Sequence, residues 1–285
     1  MTRTILVCFC ILCYQYSGAQ NPKLPGDIST EMDLFENKII AGQKIKRIRA
    51  EYSYKYDLQT IINDKKEVTY FFNEKGFIER KIEQMHYHNN SDSITSEYYY
   101  DTINQVTTYV KTEVKNHTVM LMDMMNDHHY KVSFYLIPKP LKWNENIDKK
   151  FLVWSDSIYM NGRKSHYFNQ HGMNYKNYLM ERSEDNHVES ISVYSKDGRL
   201  SKKVSYAFND NGELDSIDEK NLNPYMYDWK KAFKYDNGVF SEERFYKEGI
   251  QQYLRKITYQ DNGLPELDIK RNDITKKMTI IQYKY

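Results

Sequence analysis

The sequence predicts an all-β protein, built as an antiparallel array of β-hairpins in an extended or curved sheet, with one short N-terminal helix. Two features of the sequence lead to this prediction. Polar and apolar side chains alternate along many short segments, and glycines recur at a short fixed distance after aromatic residues. The chain also holds 27 tyrosines in 285 residues, and the apolar ring and polar hydroxyl of tyrosine suit sheet faces that are only half covered.

The first nineteen residues have the pattern of a bacterial signal peptide. Arg3 supplies the positive charge, an apolar run extends from Ile5 to Tyr14, and Ser17-Gly18-Ala19 provides a small-residue cleavage site. We expect cleavage after Ala19 and an exported protein of a Gram-negative bacterium, in the periplasm, at the outer-membrane surface or secreted. The apolar run is shorter than the roughly 18 residues of a membrane-spanning helix, so no transmembrane helix is expected.

All three cysteines lie inside this segment, at Cys8, Cys10 and Cys13. The mature chain would therefore have no thiol for a disulfide, a zinc site or a nucleophile. Phe9 and Leu12 precede two of these cysteines where a lipoprotein signal needs a small residue, so we expect no lipid anchor. The net charge of +2 gives no electrostatic reason to expect a nucleic-acid partner or an anionic membrane.

A helix is predicted over residues 31–41. Thr30 and Asp33 have the spacing of a capping box, and Gly42 would end the helix. Its apolar side chains would share one face, and they are Met32, Phe35 and Ile39.

Strands are predicted wherever side chains alternate with a period of two. The segment from Arg47 to Tyr56 is the clearest, because its apolar and aromatic residues occupy every second position. The same alternation begins at Val68, Val106, Tyr130, Val204 and Thr279.

The glycines give the sharpest signal. Five of them follow an aromatic residue by four positions, and three follow one by three positions. We interpret each as the left-handed residue that closes a tight hairpin turn with a β-bulge. These turn glycines are Gly76, Gly162, Gly172, Gly198, Gly212, Gly238, Gly249 and Gly263.

This degenerate repeat resembles the tyrosine-aspartate (YD) repeats of Rhs and teneurin-type proteins. The segments Lys234-Tyr235-Asp236-Asn237-Gly238 and Tyr194-Ser195-Lys196-Asp197-Gly198 carry the resemblance most clearly. It covers about residues 155–285, and the spacing is less regular than in that family. The resemblance implies a β-hairpin repeat fold rather than an activity.

Three regions are predicted along the chain: the signal peptide at 1–19, an N-terminal β region at 20–137 and a C-terminal YD-like hairpin region at 138–285. The breaker Pro138-Lys139-Pro140 sets the boundary between the two β regions. The two regions could also form one continuous sheet.

Few residues suggest a chemical site, and no catalytic residue or cofactor is expected. His86 and His88 would point the same way from one strand and could bind a metal with His128 or His129, although a polar strand face explains them as well. Four Asp-Ser/Thr-Ile triplets resemble an acceptor for periplasmic O-glycosylation, or else mark turns that lead into strands. Their hydroxyl residues are Ser93, Thr102, Ser157 and Ser216.

The leading functional hypothesis is therefore a non-enzymatic scaffold or binding protein of the periplasm or cell surface, with an unknown protein or glycan as its partner. Exposed aromatic rings could stack on sugars. One alternative is a secreted hydrolase with its site in the glycine-free segment between Phe77 and Asn161. The other is an outer-membrane β-barrel, suggested by the alternating C-terminal segment that ends in Tyr285.

Overall fold

The computed structural model describes residues 34–86, 91–100, 106–112, 117–126, 129–138, 147–161, 163–183 and 188–285. They form one α-helix, α1 (Asn37–Gly42), a 3₁₀ turn at Lys149–Phe151 and eighteen strands. The strands are β1 (Arg47–Tyr56), β2 (Ile62–Phe72), β3 (Ile78–His86), β4 (Ser91–Tyr100), β5 (Val106–Thr112), β6 (His117–Asn126), β7 (His129–Ile137), β8 (Leu152–Asn161), β9 (Lys164–Phe168), β10 (Asn174–Arg182), β11 (Val188–Ser195), β12 (Leu200–Phe208), β13 (Leu214–Asn221), β14 (Trp229–Asp236), β15 (Val239–Lys247), β16 (Ile250–Tyr259), β17 (Pro265–Asn272) and β18 (Lys277–Lys284). The all-β class, the antiparallel pairing and the single short helix are confirmed.

The strands close into a barrel. Each strand pairs antiparallel with the next one along the chain, and β18 pairs with β1 through contacts such as Tyr283 with Ala50. The predicted extended or curved sheet is therefore wrong in one respect, because the sheet has no free edge. Closure removes the row of unpaired backbone groups that an open eighteen-stranded array would present at each side. Strand β7 pairs with β8, so the regions before and after Pro138 belong to the same sheet.

Five hairpin turns share one hydrogen-bond pattern. In the turn after β2, the amide of Gly76 donates to the carbonyl of Asn73, and the amide of Asn73 donates to the carbonyl of Phe77. The same pair of bonds recurs in the turns that contain Gly172, Gly198, Gly212 and Gly263. In each of these turns the glycine has a φ between 72° and 84°, and the strand register shifts at the preceding aromatic residue or close to it. This is a type I turn followed by a glycine bulge.

The turns with Gly238 and Gly249 are of another kind. Asn237 and Glu248, which precede these glycines, also have positive φ values of 53° and 49°. Two successive left-handed residues form a two-residue type I′ hairpin. The three-residue and four-residue glycine spacings in the sequence therefore correspond to two turn types, where we expected one. Gly162 lies outside the described residues.

The two rims of the barrel are different. The turns that follow even-numbered strands lie on the rim that also carries α1, here called the helix rim. The turns that follow odd-numbered strands lie on the opposite rim, here called the far rim. Helix α1 contacts two turns of its own rim: the side-chain amide of Gln43 donates to the carbonyl of Asn262 over 2.8 Å, and the backbone of Asn37 lies against Gly76.

The helix is shorter than predicted. It begins at Asn37, whereas the sequence pattern placed its start at residue 31, and it ends at Gly42 as expected. Phe35 precedes the helix and is buried in the barrel, where its ring lies 4.9 Å from that of Tyr70 and 5.8 Å from that of Tyr283. The capping residues Thr30 and Asp33, and the whole signal peptide, lie outside the described residues.

Candidate functional site

Strand register identifies the side chains that face the barrel lumen. Directly opposed residues of paired strands share a face, and the chain of partners from Tyr52 passes through Ile281, Asp268 and Ile257. Tyr52, Ile257 and Ile281 belong to the same buried cluster as Phe35. Because the lumen is the enclosed side of a closed barrel, this face points inward, and the alternate residues of each strand point outward.

The half of the lumen next to the helix rim is packed with apolar side chains. Ile48, Ala50, Val68 and Tyr70 are at most 1% exposed, and Phe35 reaches them from the segment before α1. Burial of these side chains closes this end of the barrel. An eighteen-stranded barrel is otherwise wide enough to leave an aqueous channel.

A buried ionic cluster follows deeper in the lumen. The Nε–H of Arg255 on β16 is shared between the two carboxylate oxygens of Asp268 on β17, at 3.0 Å from each, and Nη2 donates to Oδ2 over 2.8 Å. Glu243 on β15 accepts from Lys231 over 2.8 Å and from the Tyr253 hydroxyl over 2.6 Å. Arg255 also lies 3.5 Å from Glu243, which joins the two groups.

The pKa values in this cluster reflect burial and pairing together. Burial alone would raise the pKa of Glu243, but Lys231, Tyr253 and Arg255 lower it below its ordinary value. Burial and the charge of Glu243 raise the pKa of Tyr253. Glu243 therefore stays ionised and Tyr253 stays protonated at neutral pH. The cluster is satisfied within the protein, so we assign it a structural role.

Towards the far rim, lysines lie over tyrosine rings on the inward face. The Lys270 ammonium is 3.7 Å from the ring centre of Tyr253, and that of Lys277 is 4.5 Å from the ring centre of Tyr54. Lys66 lies over Tyr52 in the same way, at 4.7 Å. The lumen wall in this half therefore presents cations and aromatic faces side by side.

Two of these lysines have no carboxylate within ion-pair distance among the described residues, namely Lys270 and Lys277. Lys270 faces inward by its register with Arg255 and Thr279, yet its side chain is exposed. The lumen at this level therefore has room for water. Desolvation by its packed neighbours lowers the pKa of Lys270, while Glu243 opposes this effect. We call the wall around Lys270, Lys277, Tyr253 and Tyr54 the lysine-tyrosine site.

The structure does not bring the candidate metal ligands together. His86 lies exposed at the far-rim end of β3, and His129 lies at the helix-rim end of β7, where its ring stacks on Tyr159 at 4.1 Å. His88 and His128 lie outside the described residues. Within the described ranges, no group of three or more His, Cys, Asp or Glu side chains could hold a metal ion.

The candidate glycosylation residues lie within strands rather than in turns. Ser93 is exposed on β4, Ser157 is half-buried on β8, and Ser216 is buried on β13, with 7% exposure. Asp92 and Asp215 are the second residues of β4 and β13, so these two triplets lie at the entry into a strand, whereas Asp156 is the fifth residue of β8 and its triplet does not. Thr102 lies outside the described residues.

Sequence reasoning missed the lysine-tyrosine site. On β17 the charged residues Asp268 and Lys270 point inward, and the apolar residues Leu267 and Ile269 point outward. A rule that places apolar residues inside would assign the two faces of this strand the wrong way round. The adjacent acids Glu242 and Glu243 do point to opposite faces, as expected from strand geometry.

The outward face carries ion pairs on several strands. Arg49 pairs with Glu67 over 2.6 Å, and Lys284 pairs with Glu51 over 2.5 Å. On the other side of the barrel, Lys203 pairs with Glu181 over 3.4 Å. The outward face is therefore charged on these strands, while Leu267 and Ile269 on β17 and the apolar cluster of Val110, Val119 and Ile137 on β5–β7 also face outward.

Among the residues that the structure describes, no helix is long and apolar enough to cross a membrane.

No protein-family model matches the chain, and no curated protein matches it. Among solved structures, it is similar to a porin-like protein from Bacteroides uniformis, with 9% identity, 84% of this chain and 95% of that chain covered, and a TM-score of 0.41. It is also similar to TcdB2-TccC3 without its hypervariable C-terminal region, with 9% identity, 77% and 15% coverage and a TM-score of 0.23. A LolA-superfamily protein from Nitrosomonas europaea gives 9% identity, 91% and 93% coverage and a TM-score of 0.17. All three TM-scores lie below 0.5, so function must be inferred from the chain's own geometry.

Proposed function

We propose that this chain is an exported binding protein of the cell envelope whose barrel admits an acidic glycan through the far rim. The observation that carries this proposal is the inward-facing lysine-tyrosine site, where Lys270 and Lys277 lie against rings and have no carboxylate partner among the described residues. The signal-peptide pattern in residues 1–19 supports the envelope location. The recurring hairpin turns support kinship with YD-type repeats, which remains part of the proposal.

The chemistry of the site favours a ligand with both rings and negative charge. Tyrosine faces stack on the apolar side of sugar rings, and an ammonium group held over a ring keeps its charge available to an incoming carboxylate or sulfate. Arg255 and Lys231, in contrast, are already paired with Asp268 and Glu243. The binding energy for an anion would therefore come from the lysines nearer the far rim.

The outward face favours a barrel that stands in water. A barrel that crosses the outer membrane needs an apolar band on its outer surface, whereas this surface carries ion pairs on β1, β2, β10, β12 and β18. We therefore favour the aqueous binding protein over the membrane-spanning alternative. The hydrolase alternative has weaker support, because Glu83, an acid of its segment, forms ion pairs with Lys66 and Lys81 over 3.2 Å and 2.9 Å.

The experiment is a calorimetric titration of the protein with tetragalacturonate, and with maltotetraose as the neutral control. We expect binding of the acidic probe alone. Changing both Lys270 and Lys277 to methionine removes two charges but keeps the length of the side chains, so affinity should fall roughly tenfold or more, from about 1 kcal/mol for each lost ionic contact.

The matched control is Lys256→Met, since Lys256 is a lysine on the outward face of β16 with 62% side-chain exposure. This variant should bind as the wild type does. Equal binding of the acidic and neutral probes, or an affinity that survives the double substitution, would overturn the assignment of the site.

A further inference from the structure

The exposed apolar side chains of this protein are concentrated on one rim. Of the large hydrophobic residues that are exposed in the described ranges, all but Met125, Tyr159, Val239 and Tyr285 lie on the far rim or at the strand ends next to it. The far-rim group is Tyr56, Leu58, Ile61, Ile62, Met85, Leu136, Val153, Met173, Tyr175, Leu222, Tyr225, Met226, Tyr227, Ile250 and Ile274.

These residues come from many hairpins around the barrel. Leu58 in the β1–β2 turn is fully exposed, and Ile250 and Ile274 in the β15–β16 and β17–β18 turns are 61% and 60% exposed. Solvent-exposed apolar residues scattered singly are ordinary, but a concentration of them at one end of a molecule marks a contact surface.

The β13–β14 loop carries several of these residues together. Tyr225 is 89% exposed, and its neighbours Met226 and Tyr227 are more than half exposed. The loop is nevertheless held in place, because the amide of Met226 donates to the carbonyl of Asn223 and the amide of Tyr225 donates to the Asn223 side chain, each over 3.0 Å. The aromatic tip is thus presented in a fixed conformation.

The charges on the far rim identify the partner as an anionic surface. The rim carboxylates Asp57, Asp197 and Asp228 are each bound by a neighbouring cation, from Arg271, Arg199 and Lys220. Among the described residues of this rim, lysines that have no carboxylate partner outnumber acids that have no cationic partner. These lysines include Lys55, Lys65, Lys196, Lys247, Lys276 and Lys277, against Asp64, Asp92 and Glu248.

We infer that the far rim is a membrane-docking surface, which seats its apolar side chains in the interface of a bilayer rich in anionic phospholipid. Tyrosine and aliphatic side chains beside lysines are the combination that inserts shallowly into the headgroup region. The near-neutral net charge of the whole chain gave no indication of this surface, because net charge does not show that unpaired cations concentrate on one rim. The inference is carried by the rim side chains and not by the lumen ligand, and because the same rim surrounds the proposed glycan entrance, docking and glycan entry would exclude each other.

The test is vesicle flotation of the protein without its predicted signal peptide, residues 20–285, with phosphatidylcholine alone and with 30% phosphatidylglycerol added. We expect binding to the anionic vesicles that weakens several-fold when salt rises from about 0.1 M to 0.5 M, as charge attraction is screened. Changing Leu222, Tyr225 and Met226 together to serine should reduce partitioning into vesicles by roughly tenfold or more, since three apolar side chains that would enter the bilayer interface are lost. Val239→Ser on the helix rim is the control and should leave flotation unchanged.

A second measurement fixes the orientation. Residues 20–285 contain no cysteine, so a single cysteine introduced by Tyr225→Cys, Ile274→Cys or Val239→Cys can carry an environment-sensitive dye. Anionic vesicles should shift the emission to the blue at the first two positions and leave the third unchanged. Equal shifts at both rims, or flotation that the triple variant retains, would overturn the inference. So would a dimer in light scattering that only the triple variant abolishes, because the rim would then join two copies of the chain.

Discussion

The contact between α1 and the β2–β3 turn allows a sharp test of how the helix packs on the helix rim of the barrel. Gly76 and Gly198 occupy the same position in equivalent turns, with φ values of 84° and 79°. In each turn the glycine amide donates a hydrogen bond of 3.0 Å to the carbonyl of the first turn residue. They differ in their surroundings. A Cβ atom at Gly76 would lie 2.3 Å from the carbonyl oxygen of Asn37, whereas one at Gly198 would have nothing within 4 Å.

The magnitudes follow from these distances. Alanine at either position has the left-handed backbone, which costs about 1 kcal/mol. At Gly76 the start of α1 must also retreat by a substantial part of an ångström. That retreat partly exposes Phe35 and Ile40, which are 2% and 1% exposed, and full burial of each is worth about 1.5–3 kcal/mol. We expect Gly198→Ala to lower the free energy of unfolding by about 1 kcal/mol and Gly76→Ala by about 3 kcal/mol.

Urea melts at neutral pH measure the difference, and asparagine provides the control. Asparagine tolerates the left-handed region, so Gly198→Asn should be nearly neutral while Gly76→Asn stays strongly destabilised. Gly263→Ala should fall between the two alanine variants, because its Cβ would meet the movable Cδ1 of Ile39 at 2.7 Å. Equal losses at Gly76 and Gly198 would refute the close packing of α1 on this turn.

Three further predictions concern charge and processing. The folded-state pKa of Glu243 is lowered, so its contribution to stability is present above the ordinary glutamate pKa near 4.5 and is lost as pH falls through the folded value; Glu243→Gln should cost about 3 kcal/mol at pH 7 and flatten the acid side of the pH-stability curve. Intact-mass measurement on protein from the native host should give a chain that begins at or near Gln20 without cysteine, and a retained Met1 or a lipid on Cys10 or Cys13 would contradict export as described. Glycopeptide mass spectrometry should find sugar at Ser93 or Ser157, or at Thr102, before the buried Ser216; four unmodified peptides would remove the glycosylation hypothesis.

Local sequence patterns identified six of the strands and the positions of the turn glycines. Alternation over Arg47–Tyr56 predicted β1 with its observed bounds, because side chains of an extended strand must point to opposite faces. The aromatic-to-glycine spacing located turn glycines that all have positive φ where the structure describes them, because glycine alone adopts that conformation without strain. These are properties of a few neighbouring residues, so the chain carries them locally.

The sequence by itself determined the β class, several of the strands and the turn glycines, while only the tertiary structure decided that the sheet closes and which face of each strand lies inside. Closure depends on β18 meeting β1 across more than two hundred residues, and no local pattern encodes such a pairing. The orientation of β17 depends on its neighbours, because Asp268 is tolerated inside only where Arg255 binds it. The lysine-tyrosine site and the far rim exist only after closure, since they assemble side chains from strands and turns all around the barrel.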